Sequence, residues 1–350
     1  MTNDHMNPDI NDKMIFEIGA NHMGSYDKLM HMTREIAKQD LGPVRVKIQY
    51  FDPDTLVTPS SRFADGRRQK AVLWDAALAW EAVDSWITEA RVLGLRPGVT
   101  VFNAADAVKL LNYPVDFLKV ASPDAVDSAL VETYLKDPSQ RDLFISTGGL
   151  AEDEVGHLIC LCSDAATRGC AGRQQVTFMH CMSQYPAPEF GFHFWQLLTE
   201  MVYGSNSNFH VGYSDHHQSE DFCKTALQLG ADAVERHVYD QDSDIDVNCA
   251  TAIDDLQRMM RGLANCETTT RPDEKSVRHT RRYWVATRDI LQGEHLSSAN
   301  CALMRCVEFD DNKVDAYIHG GMQTADSLRH LKTTAVIHKW TPISRVKVGP

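Results

Sequence analysis

The amino-acid sequence predicts a (β/α)8 TIM barrel followed by a small C-terminal β-rich domain. Short runs rich in Val, Ile, Phe or Ala recur along the chain, and each ends abruptly in polar or ionisable residues. A segment with helical spacing of apolar residues follows most of these runs. Eight such units fill roughly the first 260 residues, which is the size of a barrel of this kind. A doubly wound open sheet is the alternative, but nothing in the chain resembles its G-x-G-x-x-G turn.

The first six units share this construction. Their strands are predicted at 14–22, 44–50, 96–104, 116–122, 142–149 and 175–188. A long insertion, 51–68, precedes the second helix, and the helices with the clearest spacing are predicted at 26–39, about 71–93, 152–168 and 194–202.

The last two units begin with the stretches 209–217 and 231–238, whose sequences are FHVGYSDHH and ADAVERHV. A helix is predicted between them, closed by Gly230. Parallel strands joined in this way carry their functional residues at the carboxyl ends. We therefore expect His216 and His237 to face the same mouth.

The chain after the eighth helix changes character. A charged connector begins near Cys266, and we place the catalytic barrel at 1–266, a linker at 267–282 and the second domain at 283–350. The second domain mixes short β-branched runs with Gly and Pro turns, and only 325–331 has a helical period. A module of this size is marginal alone, so we expect it to dock on a barrel.

Composition excludes several classes of function. The chain is 43% hydrophobic and 24% charged, as in ordinary globular proteins, and its net charge of −13 argues against nucleic acid or an anionic membrane as a partner. The polar, acidic N-terminus is no signal peptide, and no apolar run is long enough to span a bilayer. Nine cysteines without a paired C-x-x-C framework fit free thiols in a reducing cytoplasm.

Small hydroxyls and two lysines converge on the predicted mouth. Their positions at strand ends predict a site for a phosphate and carboxylate anion; they are Lys47, Thr100, Lys119, Ser122, Ser146, Ser183 and Ser214. A lysine inside a buried strand needs an anionic partner, so ion pairs to Glu17 or Glu235 are the structural alternative.

His216 and His237 are predicted to hold a divalent metal. Neutral imidazoles suit Mn, Fe, Co or Zn, and two protein ligands leave positions open for substrate. His22, His180 and His217 are rival candidates, of which we expect the last two to be structural. Asp215 and Glu235 are candidates either for orienting the rings or for ion pairs at the strand ends.

Seven motifs, in order, make the chain similar to the sialic acid synthase (N-acetylneuraminate or nonulosonate synthase) family. They are EIGANHMGS, VKIQY, LKVAS, ISTGG, HCMSQYPAP, GYSDHH and ERH. The segment 285–305 is also similar to the antifreeze-like (SAF) domain of that family. The resemblance runs over almost the whole chain, and so many ordered motifs are highly specific.

The resemblance implies a transferase that condenses phosphoenolpyruvate with an N-acetylmannosamine-type aldehyde and releases phosphate. The seven residues of the anion site, together with Tyr185, would surround phosphoenolpyruvate, and His216 and His237 would bind Mn²⁺ or Mg²⁺, with Zn, Co or Fe as alternatives. Glu17, Gln49 and Asp246 would lie on the sugar side, with Asn21 as a further substrate-binding candidate. A swapped homodimer would bring Arg305 of the SAF domain over the active site of its partner.

Three departures from the family pattern affect the sugar acceptor. Met23 replaces a frequent Asn, DSDIDVNC replaces a GPD stretch, and CVEFDDNKVDAY follows Arg305 in place of a Pro-Gly-rich loop. Two alternatives therefore stay open. One is another phosphoenolpyruvate-condensing barrel of octulosonate type, and the other is a non-catalytic relative that binds sugar.

Overall fold

Eight parallel strands close into a barrel, because β1 pairs with both β2 and β8. The computed structural model describes residues 8–58, 60, 69–167, 174–205, 209–264, 282–297, 299–305, 331–339, 343 and 348–349. The strands of the barrel are β1 (Met14–Gly19), β2 (Arg45–Gln49), β3 (Arg96–Thr100), β4 (Phe117–Val120), β5 (Asp142–Ser146), β6 (Val176–His180), β7 (Phe209–Asp215) and β8 (Ala233–Tyr239). The barrel prediction is confirmed, and the open sheet is wrong.

Helices follow the strands as the apolar spacing predicts. They are α1 (Pro8–Lys13), α2 (Tyr26–Lys38), α3 (Pro53–Leu56), α4 (Gln69–Ala76), α5 (Trp80–Val92), α6 (Ala104–Leu110), α7 (Ser128–Leu135), α8 (Glu152–Thr167), α9 (Phe192–Ser205), α10 (Asp221–Gln228) and α11 (Leu256–Ala264). Side-chain caps fix several starts: Ser25 accepts a hydrogen bond from the Lys28 amide at 3.2 Å, and Asn103 accepts one from the Asp106 amide at 2.8 Å.

Two details differ from the sequence prediction. The helix expected over about 71–93 is two helices, α4 and α5, separated at 77–79. A ninth parallel strand, β9 (Ala250–Ala252), pairs with β8 after the loop that follows it. No apolar run in the sequence predicts this short strand. Its pairing with β8 anchors the far end of the loop that follows β8.

The barrel interior has an apolar layer directly below the polar one. Ile15, Phe117, Phe144, Met179 and Ala233 are buried together. Since side chains on one face of a strand recur every second residue, four of these five lie two positions before a polar residue of the mouth. The rings of Phe117 and Phe144 meet edge to face, 5.6 Å apart. The alternation in sequence thus gives the site an apolar floor.

The chain divides into two compact units, 1–268 and 269–350. In the second unit, β10 (Arg282–Ala286) and β11 (Cys301–Arg305) form one antiparallel pair, and β12 (Lys332–Thr333) and β13 (Val348–Gly349) form another. Trp284, Ala286, Ile290, Leu296, Cys301, Ile337 and Ile343 are its buried cluster. Most of the proposed linker, 267–281, and most of the helical period at 325–331 lie outside the described residues.

Among the helices that the structure describes, none combines the length and the apolar character that crossing a bilayer requires.

Gly98 is predicted to be the residue type that leaves room for the ring of Phe117 in the barrel interior. A methyl group added there would lie 2.3–2.6 Å from the ring of Phe117, its partner on β4. We expect Gly98→Ala to lower the free energy of unfolding by about 1–3 kcal/mol, as overpacking does. Urea denaturation measures this. The matched control is Gly262→Ala in α11, where an added Cβ would meet no atom within 4 Å beyond the backbone of its own helix, and where alanine should be neutral or stabilising. Equal effects of the two substitutions would contradict the packing argument.

Candidate active site

The carboxyl ends of the strands form a buried polar cluster in which two lysines share a carboxylate. Lys47 on β2 and Lys119 on β4 each place their ammonium nitrogen 3.8 Å from Oε2 of Glu235 on β8. Lys47 also forms an ion pair with Glu17 on β1. All four side chains are almost completely buried. Two ammonium groups and two carboxylates balance in charge, which explains how four ionisable side chains can be enclosed together.

Strand-end hydroxyls surround the lysines. Nζ of Lys47 donates to Oγ1 of Thr100 at 2.9 Å, and Nζ of Lys119 donates to Oγ of Ser146 at 2.7 Å. Oγ of Ser214 donates to Oε1 of Glu235 at 2.8 Å. Hydroxyls and lysines from separate strands are therefore within hydrogen-bond distance of one another or of Glu235, at the end of the barrel where the sequence predicts them.

Burial and charge set the protonation of this cluster. Burial raises the pKa of Glu235, but Lys119 and Lys47 outweigh it and hold that pKa at about 2. Burial lowers the pKa of Lys47 to about 7, with Glu235 partly opposing the shift. Glu235 is thus ionised between two lysines. Its Oε2 has no hydrogen-bond partner among the described residues.

The loops after β4, β5 and β6 carry the other hydroxyls. Ser122 begins a short 3₁₀ helix, where its Oγ accepts from the amide of Gly148 at 3.1 Å and lies 3.0 Å from Sγ of Cys181. A Cβ on Gly148 would lie 2.5 Å from Oγ of Ser183, so only glycine permits this approach. The sequence alone does not predict that Cys181 lies beside Ser122, because a cysteine after a strand is ordinarily a packed core residue.

His216 and His237 lie side by side, with ring centroids 5.4 Å apart. Nδ1 of His216 is 2.9 Å from the carbonyl oxygen of Met182, and Nδ1 of His237 is 2.9 Å from Oδ2 of Asp246. A carbonyl and a carboxylate accept hydrogen bonds, so both rings carry their proton on Nδ1. Burial, reinforced by His237, lowers the pKa of His216 to about 3 and keeps that ring neutral.

This donor set fits a divalent metal ion. A ligating imidazole characteristically donates its second nitrogen to a carbonyl or carboxylate, and both rings here do so, which leaves Nε2 unprotonated; that of His216 lies 3.5 Å from Oγ of Ser214. Among the described residues, no group of three or more His, Cys, Asp or Glu side chains is arranged to hold a metal. An ion at the pair would therefore keep several positions for water and substrate, as a catalytic metal needs.

Asp246 and Asn21 connect the loops after β8 and β1. Nδ2 of Asn21 donates to the carbonyl oxygen of Val238 at 2.8 Å, and its Oδ1 accepts from the amide of Asp246 at 3.0 Å. Asp244, the neighbouring alternative, instead forms an ion pair with Lys28. Gly19 has a φ of +59°, and a Cβ there would lie 3.1 Å from Oδ2 of Asp246. The loop therefore presents Asp246, not Asp244, to His237.

The remaining predicted residues are more peripheral. Gln49 ends β2 and is half-buried, whereas Tyr185 is exposed by 56% and lays its ring 4.0 Å from that of His216. Arg305 ends β11, but its side chain lies outside the described part of the chain. Nε2 of His180 lies 2.9 Å from the carbonyl oxygen of Phe190, and the ring of His217 stacks on that of Phe222.

The side chain of Asp215 bonds the His217 amide, Cys223 and Arg236, and not a ring nitrogen of His216 or His237. Its Oδ2 accepts from Nη1 of Arg236 at 2.9 Å, so that the strand-end ion pair is the correct one of the two interpretations. The sequence could not distinguish them, because Arg236 and His237 are neighbours and only the strand geometry sends them to opposite faces.

Comparisons with known proteins agree with the (β/α)8 barrel. Residues 35–275 match the NeuB family, and the chain belongs to that family.

Several relatives and solved structures are similar to the chain over most of their length. A pseudaminic acid synthase of Campylobacter jejuni is 24% identical over 321 residues, covering 84% of this chain and 88% of the relative. An N,N'-diacetyllegionaminic acid synthase of the same species is 25% identical, covering 83% and 90%. The crystal structure of an N-acetylneuraminic acid (sialic acid) synthetase from Leptospira borgpetersenii, in complex with citrate, has a TM-score of 0.59 at 20% identity and covers 76% and 90%. This last likeness concerns the fold alone.

Removing one buried lysine tests whether the cluster depends on its balance of charges. We expect Lys47→Met to lower the free energy of unfolding by about 3–5 kcal/mol, because Glu17 and Glu235 lose their shared partner. Combining it with Glu17→Gln should recover part of the loss. The control is Lys136→Met, which removes an exposed ion pair to Glu132 and should change stability little. Chemical denaturation of the four proteins decides; a Lys47→Met variant as stable as the control would refute the balance.

Proposed function

We propose that this protein is a nonulosonic (sialic) acid synthase. It would condense phosphoenolpyruvate with an N-acetylmannosamine-type sugar aldehyde, with a divalent metal, and release phosphate. One observation carries the proposal: Ser214 joins the buried lysine cluster to the imidazole pair, because its Oγ donates to Oε1 of Glu235 at 2.8 Å and lies 3.5 Å from Nε2 of His216. Membership of the NeuB family and the names of the relatives support the same class of reaction.

The lysine side would bind phosphoenolpyruvate. Its phosphate and carboxylate need several donors without a general positive field, since the chain itself is acidic. Lys47, Lys119 and the hydroxyls of Thr100, Ser122, Ser146, Ser183 and Ser214 supply them. Glu235 would keep the two ammonium groups together until the anion arrives. Tyr185 would flank the anion beside His216.

His216 and His237 would hold Mn²⁺ or Mg²⁺ through their unprotonated Nε2 atoms, with Oγ of Ser214 beside that of His216. A bound divalent ion supplies Lewis acidity toward the aldehyde oxygen of the sugar. Asp246 and the carbonyl of Met182 keep both rings in the tautomer that this requires.

The bond changes follow from the substrates. C3 of phosphoenolpyruvate attacks the aldehyde carbon C1, which forms the new C–C bond, and the aldehyde oxygen gains a proton. Water adds to C2, and Glu17, which already accepts from the Gly19 amide at 2.6 Å, would take the proton from that water. The C2–O bond to phosphate then breaks as the C2 hydroxyl gives its proton to the departing phosphate, leaving a nine-carbon 2-keto acid. The two protons of the water thus end on phosphate and, by way of Glu17, on the former aldehyde oxygen. Lys47 and Lys119 would stabilise the phosphate and carboxylate throughout.

The sugar would lie on the side of β1, β2 and β8. Glu17, Asn21, Gln49 and Asp246 are the residues of the barrel available there. Arg305 would reach the sugar from the second domain of another copy, in a homodimer whose SAF-like domain caps the site of its partner. This arrangement rests on the family resemblance of 285–305.

The reaction is tested by its products. With Mn²⁺, phosphoenolpyruvate and a panel of free and 6-phosphorylated mannosamine derivatives, we expect stoichiometric phosphate and a nine-carbon keto acid in the mass spectrum. His237→Ala should release none, since it removes one of the two imidazoles. An eight-carbon product from arabinose 5-phosphate would instead establish the octulosonate type. Absence of phosphate release with every acceptor would favour a binding protein and overturn the proposal.

Lys119 should contribute to phosphoenolpyruvate binding in particular. We expect Lys119→Ala to raise the KM for phosphoenolpyruvate by about 10–100-fold, as loss of a hydrogen bond to a charged group does, with a smaller effect on the KM of the sugar. Steady-state kinetics with each substrate varied measures both. Lys136→Ala, on the exposed face of the barrel, is the control. An unchanged KM for phosphoenolpyruvate would remove Lys119 from the anion site.

A further inference from the structure

A second buried ion pair lies directly behind the imidazoles. Asp215 and Arg236 are opposite each other in the register of β7 and β8. Ser214 and Glu235, one position earlier on each strand, hydrogen-bond to each other inside the barrel. Because side chains alternate along a strand, Asp215 and Arg236 lie on the outer face, between the inward residues that include His237. Their exposed fractions are 0% and 1%.

Arg236 joins three segments of the chain. Besides Asp215, its Nη1 donates to the carbonyl oxygen of His217 at 2.6 Å, and its Nη2 donates to that of Gln218 at 3.2 Å. Its Nε donates to Oγ1 of Thr251 on β9 at 3.1 Å. The planar guanidinium thus ties the end of β7 to β8 and to β9 at once, which no other side chain can do with the same geometry.

Asp215 completes the attachment on the β7 side. Its Oδ1 accepts from the amide of His217 at 3.0 Å, and its Oδ2 accepts from Sγ of Cys223 on α10 at 3.0 Å as well as from Arg236. His216 lies between Asp215 and His217, so both of its chain neighbours are held. The loop that carries Asp246, the partner of His237, runs between β8 and β9, the two strands that Arg236 bridges.

Stability alone does not account for this network. Burying an ion pair commonly costs as much as its attraction returns, and apolar residues of similar volume are often as stable. The network instead fixes the positions of the strand ends that carry the imidazoles, because one guanidinium contacts the segments on both sides of the pair.

We propose that Arg236 and Asp215 are positioning residues, which set the separation and orientation of His216 and His237 for a metal ion. The part of this inference that concerns the metal rests on the proposed function. The part that concerns the rings does not.

The chain contains a matched control for Arg236. Arg141 also forms an ion pair with a fully buried carboxylate, Asp137, and donates to the carbonyl oxygens of Tyr113 at 3.0 Å and Leu111 at 3.1 Å. It lies just before β5, at the amino end of that strand and away from the mouth. Arg236→Lys and Arg141→Lys both keep the charge and lose the guanidinium fork, so they should lower the melting temperature comparably.

Metal affinity should separate the two variants. In titrations of substrate-free protein with Mn²⁺, followed by the electron paramagnetic resonance signal of the free ion, we expect Arg236→Lys to weaken binding by about 10–100-fold. Arg141→Lys should bind as the unaltered protein does. Equal affinities for the two variants would overturn the positioning role.

A second measurement needs no metal. Long-range ¹⁵N–¹H spectra of the histidine rings should show a single Nδ1–H tautomer for His216 and His237 in the unaltered protein and in Arg141→Lys, and mixed or exchanging forms in Arg236→Lys. If the unaltered protein binds no Mn²⁺, the metal of the proposed function is refuted, while these spectra still decide the positioning role. Should Arg236→Lys fail to fold, the paired change Asp215→Leu with Arg236→Met replaces it. Unaltered ring spectra in that variant would overturn the inference.

Discussion

Closure of the strand ring is the constraint on which the rest of the molecule depends. The pairing of β1 with β8 places Glu17 beside His237, although the two residues are far apart in sequence. The same ring places Lys47 and Lys119 around Glu235, from three strands that are not consecutive. Neither a helix nor an open sheet would bring these groups to one point, because only a closed ring gives every strand end the same centre.

Within that ring the two faces of each strand have separate tasks. Inward residues hold the balanced charges and the imidazoles, and the residues below them form an apolar floor. Outward residues of β7 and β8 hold those strands in register through Asp215 and Arg236. Since consecutive residues alternate in direction, a six-residue motif such as GYSDHH encodes both tasks. This arrangement explains why ordered short motifs carry so much of the resemblance to one family.

The sequence predicts much of this, and the reasons for its failures are physical. Periodicity finds all eight strands and the histidine pair, because alternation and strand-end polarity are local properties. It does not find β9, which is too short to have a pattern, or the break between α4 and α5, where the apolar spacing continues across the gap. The roles of Asp215 and Glu235 cannot be separated by local pattern either. One pairs with Arg236 outside the barrel and the other with two lysines inside it, and both facts depend on strand register.

One feature of the buried cluster bears on how such a protein changes over evolutionary time. Oε2 of Glu235 is enclosed with no hydrogen-bond donor among the described residues, and an unmet acceptor of this kind costs the folded chain about 1–3 kcal/mol. Replacing that glutamate alone would leave Lys47 and Lys119 without the carboxylate they share, so a more heat-resistant interior requires the whole charged cluster to change. A lineage under selection for stability alone would therefore be expected to lose the two lysines and the carboxylates together, and not one at a time.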